Sequence, residues 1–239
     1  MSATRLLSRA LERRVRTDDH FTEAKELEAP PYPVALRDEH ITETETTIRI
    51  TTDHVREIFQ RNIRVTLASS GETIFSVTPK RWSITWRREV QDASGLPLVD
   101  IRGSWSQKSK AWYCQLPGGQ PGPSGRHGEH VLEAEPLGWM SDAIDVRFDN
   151  IHPPADAKGE DSSANSNVDL QVRGHRHKGR ILTDVICDQR HIATFRRFQL
   201  DNKAINEDWF QVLEATVAPN VDLTLVRLDL SNQTVPGQR

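Results

Sequence analysis

The stretch NEDWFQVLEATVAPNVDLTLVRLDLSNQT, residues 206–234, decides the fold. Trp209 to Val217 reads as a strand, Pro219 and Asn220 punctuate it, and Val221 to Leu230 follows as a compact apolar segment. On a helical wheel Val221, Leu223, Leu225, Val226, Leu228 and Leu230 fall on nearly opposite faces, and a helix apolar on both sides has to be enclosed. If the remainder of the chain is strands, the enclosure is a sheet curled around that helix. VDLTL also alternates apolar and polar residues, as one more strand would. A helix over Val221 to Leu230 is the expectation carried forward, and its Arg227 and Asp229 then require partners or solvent, because an unpaired charge inside a barrel costs several kcal/mol.

Working outward, a chain of 239 residues with 27% charged side chains is long enough for one well-packed domain with tails. No apolar run approaches the length of a membrane-spanning helix, so a soluble protein is expected. Cys114 and Cys187 form no spacing motif, which points to neither a disulfide framework nor a zinc module and fits a reducing compartment. The charge is polarised. Acidic residues outnumber basic ones by more than two to one from Asp18 to Glu57, whereas Arg173 to Lys203 carries eight Lys or Arg against Asp184, Asp188 and Asp201. Residues 1–40 read as a flexible extension, basic then acidic. Its first part, with Leu7, Leu11 and Val15 beside Arg5, Arg9, Arg13 and Arg16, has the pattern of a basic amphipathic helix, either a targeting or membrane-surface segment or a frayed terminus.

From residue 41 to 235 the pattern is strand, turn, strand. Ile48 and Ile50 close a Thr-rich run, and Asp53 can cap a short helix presenting Val55, Ile58 and Phe59. Ile63, Val65 and Leu67 alternate with polar residues, and Ser69 to Glu72 turns the chain into TIFSV. Trp82, Ile84 and Trp86 alternate with Ser83, Thr85 and Arg87 as a further strand. Two Gly/Pro-rich or polar stretches, residues 117–130 and 149–167, read as loop insertions. The halves VTPKRWSITWRREVQDASGLPLVDIRG and LQVRGHRHKGRILTDVICDQRHIATFRRF share one order of strands and turns, with Asp92 and Asp188 at corresponding tight turns. A duplicated meander closes naturally into a barrel, which removes exposed sheet edges.

QDASGLPLVDIRGSWSQKSKAWYC (residues 91–114) and WFQVLEATVAPNVDLTLV (residues 209–226) resemble the LURP-one-related proteins, which are similar in fold to the tubby C-terminal domain and the phospholipid scramblases. The resemblance extends over roughly Ile41 to Val235. It implies a mainly β protein: a closed antiparallel barrel of about twelve strands around a C-terminal hydrophobic helix.

No nucleophile elbow, phosphate loop, dinucleotide fingerprint or paired metal motif occurs, so an enzyme is not expected, and no cofactor is implied. His175 and His177 lie two apart on a strand, so both point to one face, and Cys187 or His191 could join them at a metal. Solvation in a basic turn is the simpler fate of those histidines, and Cys187 fits a small buried apolar residue better than a nucleophile. More functional content sits in RGHRHKGR. Arg173, Arg176, Lys178 and Arg180 there match Lys80 and Arg81, with Arg87 and Arg88, in the first half. Two basic turns at comparable hairpin ends can hold phosphates, and the tubby-like resemblance implies phosphoinositide headgroups. A charged turn that merely stays solvated is the plainer reading.

The expected function is therefore a non-enzymatic adaptor or interaction module that docks on anionic membrane lipid or a protein partner. Alternatives are a carrier barrel for a small hydrophobic ligand and a scramblase-like lipid handler. Nucleic acid is not expected, because the chain is mildly acidic and its basic turns lack an interleaved aromatic platform. The expected location is the cytoplasm, including a membrane periphery, with nucleus or mitochondrion as alternatives.

Overall fold

A computed structural model describes residues 26–52, 62–80, 87–103, 111–119, 130–137, 143–152, 167–177, 180–198 and 212–228. Twelve strands make one closed antiparallel barrel in simple chain order, with β1 completing the circle against β12. They are β1 (Thr46–Thr52), β2 (Ile63–Leu67), β3 (Thr73–Pro79), β4 (Arg88–Asp92), β5 (Pro97–Gly103), β6 (Trp112–Gln115), β7 (His130–Pro136), β8 (Ala143–Asp149), β9 (Asn167–His177), β10 (Arg180–Cys187), β11 (Arg190–Phe198) and β12 (Val212–Val217). The closed barrel is the fold class expected from the sequence. The two loop insertions fall between β6 and β7 and between β8 and β9. The proposed helix at Val55 to Phe59, the Trp82 to Trp86 strand and the amphipathic N-terminus lie outside the described residues.

Alternation decides which side chains face inward. Opposed residues in an antiparallel pair share a face, so Ile48, Ala215, Phe195 and Thr183 form one buried row across β1, β12, β11 and β10. Ile101, Cys114, Leu132, Phe148 and Val168 form another across β5 to β9. Each such Val, Leu or Phe removed from water is worth about 1.5–3 kcal/mol. At Gly103 a Cβ would meet the Trp112 indole at 3.3 Å, so the absent side chain makes room for the opposing ring.

The C-terminal segment packs at one end of this barrel. Helix α1 (Leu223–Leu228) is shorter than the expected Val221 to Leu230, because Val221 and Asp222 are extended and bridge to Val34 and Ile41. Asp222 then caps the helix, its Oδ1 accepting the Thr224 N–H at 2.7 Å. Val221, Leu223 and Leu225 belong to the same buried cluster as the strand residues. The side chain of Arg227, and Asp229 altogether, lie outside the described residues.

That same end is closed by a segment whose sequence reads as part of the flexible extension. Val34 and Ala35 are fully buried. Val34 donates to the Asn220 carbonyl at 2.9 Å and its own carbonyl accepts from Asp222 N–H at 3.0 Å. Buried Asn150 accepts from Ala35 N–H at 3.0 Å and donates to the Pro33 carbonyl at 2.9 Å. Upstream, Glu28 N–H bonds the His191 carbonyl and Tyr32 bonds Asp188. Residues 26–42 are thus part of the packed domain: the partners just named lie more than a hundred residues away, where no local pattern reveals them.

Candidate functional site

In an up-and-down barrel every connection from an odd to an even strand leaves at one end. The β3–β4 and β9–β10 turns, which hold the sequence-predicted basic residues, therefore share the end opposite the sealed one. They do not converge on one pocket. β3 and β9 are six strands apart around a twelve-strand circle, on opposite walls.

Lys80 follows β3 directly, pairing through its backbone N–H with the Arg87 carbonyl. Its ammonium meets Glu89 and lies 3.3 Å from Asp100 Oδ1, while Arg87 Nη2 holds Asp100 Oδ2. Glu89 and Asp100 oppose each other on the outer face of β4 and β5. The Lys80 contact holds the Glu89 carboxyl below its ordinary range. For Asp100 burial pushes upward, but Arg87 and Lys80 outweigh it and the net shift is downward. Arg88 differs from its neighbours: opposite Pro79 and Ile101, it is buried on the interior face, which removes it from the surface set.

On the far wall Arg173 is already satisfied. Its guanidinium donates to Asp145 at 2.8 Å, to the Val172 carbonyl at 2.9 Å and to the Ile144 carbonyl at 3.1 Å. Arg176 and Arg180 occupy register positions opposite Ile181 and His177. Their side chains, with Lys178 and Arg81, lie outside the described residues. Beside Arg173, buried Asp184 accepts from Thr194 at 2.9 Å and lies 3.7 Å from His175 Nδ1 and 3.6 Å from His191 Nδ1. This gathers two of the histidines considered for metal binding, yet Cys187 points inward beside Leu170. Among the described residues no group of three His, Cys, Asp or Glu is placed to hold a metal ion. Both cysteines are free and buried; burial drives the Cys114 thiol upward and Cys187 to about 12, so neither offers a thiolate.

One cation that the basic turns do not announce completes the first wall. Arg102 stands on the outer face of β5, opposite Tyr113, and one position along from the Arg88–Ile101 pair, which sets it beside Arg87. It is half-buried, its Nε is buried, and among the described residues it makes no hydrogen bond or ion pair. Arg87 Nε is likewise buried without an acceptor. Burial, then the Glu133 charge, raises the phenol of neighbouring Tyr113. The available signal for Arg102 was VDIRG, whose alternation puts Asp100 and Arg102 on one face.

A family model described as LURP-one-related matches residues 50–227 of this chain. The chain belongs to the LURP-one-related family. That match includes every strand from β2 to β12, most of α1 and the basic residues of both walls. The X-ray structure of an Arabidopsis thaliana protein is similar over 83% of this chain and 96% of its own, at 17% identity and a TM-score of 0.47. No curated protein is similar to the sequence. For this LURP-one-related protein the family thus agrees with the motifs in residues 91–114 and 209–226. None of the described helices is long and apolar enough to cross a membrane.

Proposed function

We propose that this protein is a non-enzymatic, cytoplasmic interaction module that docks peripherally on anionic membranes, taking phosphoinositide headgroups at the basic end of its barrel. The observation that carries the reading is topological. The turns bearing Lys80 and Arg81 and those bearing Arg176, Lys178 and Arg180 leave at one end, while residues 33–42 and 218–222 occupy the other. Basic groups on opposite walls suit a plane of charge better than one small ligand. The carrier alternative has less support, because the inward faces of the strands are filled by one continuous hydrophobic cluster.

The test is sedimentation with phosphatidylcholine vesicles, with and without phosphatidylinositol bisphosphate. Binding is expected only with the phosphorylated lipid and is expected to weaken steeply with salt. Replacing Arg176, Lys178 and Arg180 with Gln should reduce it, as should Lys80 and Arg81 with Gln. Arg173→Gln should matter less, since Asp145 already neutralises that guanidinium. Unchanged binding after charge removal at both turns would sink the reading.

A further inference from the structure

We propose that Lys80, Arg87 and Arg102 form a defined phosphate-ester site on the outer face of β3 to β5, with Arg102 as its principal free cation. Three positive side chains stand in adjacent register positions, and the carboxylates that reach them are Glu89 and Asp100. Glu89 and Asp100 are paired with Lys80 and Arg87, Asp100 Oδ1 at ion-pair distance without a hydrogen bond, so three cations face two carboxylates and the group keeps one net positive charge, assigned to Arg102. A half-buried guanidinium beside a second cation is unfavourable unless something supplies acceptors. Two buried Nε donors, on Arg87 and Arg102, lack one. A planar guanidinium presents its N–H groups in the fork geometry that matches a phosphate's oxygens, whereas a single water offers neither the charge nor enough acceptors. Asp100, almost fully buried beneath Lys80 and Arg87, acts as the fixed counter-ion that positions both cations while leaving Arg102 to the ligand.

The far wall makes an instructive contrast. At the corresponding position Arg173 is saturated by Asp145 and two carbonyls, so the free donors are on the β3–β5 face alone among the described basic side chains of these two clusters. The hollow of about 70 Å³ between β7 and β8 is lined by Glu133, Glu135 and Asp145 with Arg147 as its one cation, a net negative lining that disfavours an anion. The inference deepens the headgroup reading and rests on it only for the membrane as the source of the phosphate.

The experiment has a soluble and a membrane arm. Inositol 1,4,5-trisphosphate is titrated calorimetrically into wild type, Arg102→Gln and the control Arg147→Gln, which removes an exposed ion pair with Asp169. The same proteins are then sedimented with the vesicles above. Loss of a charge-assisted fork should weaken trisphosphate binding about tenfold or more in Arg102→Gln, with Arg147→Gln unchanged. Thermal melts keep the comparison valid: removing an unpaired cation should leave unliganded Arg102→Gln at least as stable as wild type and remove the stabilisation that trisphosphate gives wild type. Failure of wild type to bind the trisphosphate, or equal binding by Arg102→Gln, overturns the site. Wild type that binds the trisphosphate through Arg102 but ignores the vesicles keeps the site and discards the membrane reading.

Discussion

Asp222 Oδ2 accepts the backbone N–H of Arg37 at 2.9 Å, joining the residue that begins the C-terminal helix to the strap that closes the barrel. The same oxygen takes the Leu36 N–H at 3.0 Å, and Oδ1 takes Thr224 N–H, so one fully buried carboxylate satisfies three backbone donors. Burial pushes its carboxyl above the ordinary range, against the downward pull of those donors. Asp222→Ala removes the helix cap and leaves the donors without acceptors. A loss of about 3 kcal/mol is expected, from the usual cost of orphaned buried donors plus a lost cap. Asp222→Asn keeps one acceptor oxygen and should lose less. Urea unfolding of both variants checks this, and an Ala variant as stable as wild type would show that the strap and helix are independent.

Deleting residues 221–239 should unfold the protein. Val221, Leu223 and Leu225 are part of the barrel's own core, and Val221 and Asp222 also hold Thr42 and Val34 at the sealed end. Removing them leaves a cavity and detaches the strap together. The readout is near-ultraviolet circular dichroism and a melting curve. A truncated chain with a sharp melt that binds a fluorescent fatty acid would instead favour the carrier reading.

Gln189→Gly is expected to stabilise. The β10–β11 hairpin turns through Asp188 and Gln189, with φ of 48° and 65°. Two left-handed residues are what a type I′ turn requires, and a side chain there costs about 1 kcal/mol, which Gly avoids in part through its own greater entropy loss. Asp188 should be kept, since Tyr32 donates to its carboxylate at 2.6 Å. A rise in melting temperature for Gln189→Gly, and a fall for Asp188→Gly, is the expected pair of results.

The difference between what residues announce and what they conceal is visible in these sites. Alternation at Ile63, Val65 and Leu67 is a local property, so such strands and their inward faces were legible. Asp92 and Asp188 were legible as turns for the same reason. The strap was not, because Val34, Ala35 and Leu36 sit among prolines and charges with no period, and their hydrogen bonds run to Asn150, Asn220 and Asp222. Nor does sequence reveal which cations are already paired. Arg173 and Arg102 look alike as basic residues on strands; only the register of β8 with β9 gives Arg173 its Asp145, and only that of β4 with β5 sets Arg102 beside Arg87.

The same β3–β5 cluster predicts how the protein responds to acid. Glu89 and Asp100 both have folded-state values below their ordinary ones, Glu89 through Lys80, Asp100 because Arg87 and Lys80 overcome its burial. Groups shifted in that direction stabilise the fold above their unfolded values, near pH 4, and that contribution disappears as pH falls through the lower folded values. Lys80→Met removes the main cause of the Glu89 shift and part of the Asp100 shift. The loss on acidification should then be smaller and finish at higher pH, and the slightly lower stability at neutral pH should move the midpoint of acid unfolding slightly upward. At neutral pH the effect should be small, because Lys80 is about a third exposed and its ion pair is screened. Arg102→Gln should leave the acid limb where it is in phosphate-free buffer, since Arg102 pairs with neither carboxylate. Acid titrations followed by far-ultraviolet circular dichroism distinguish the two, and a shift in Arg102→Gln equal to that in Lys80→Met would mean that Arg102 shares the carboxylates and is not a free cation.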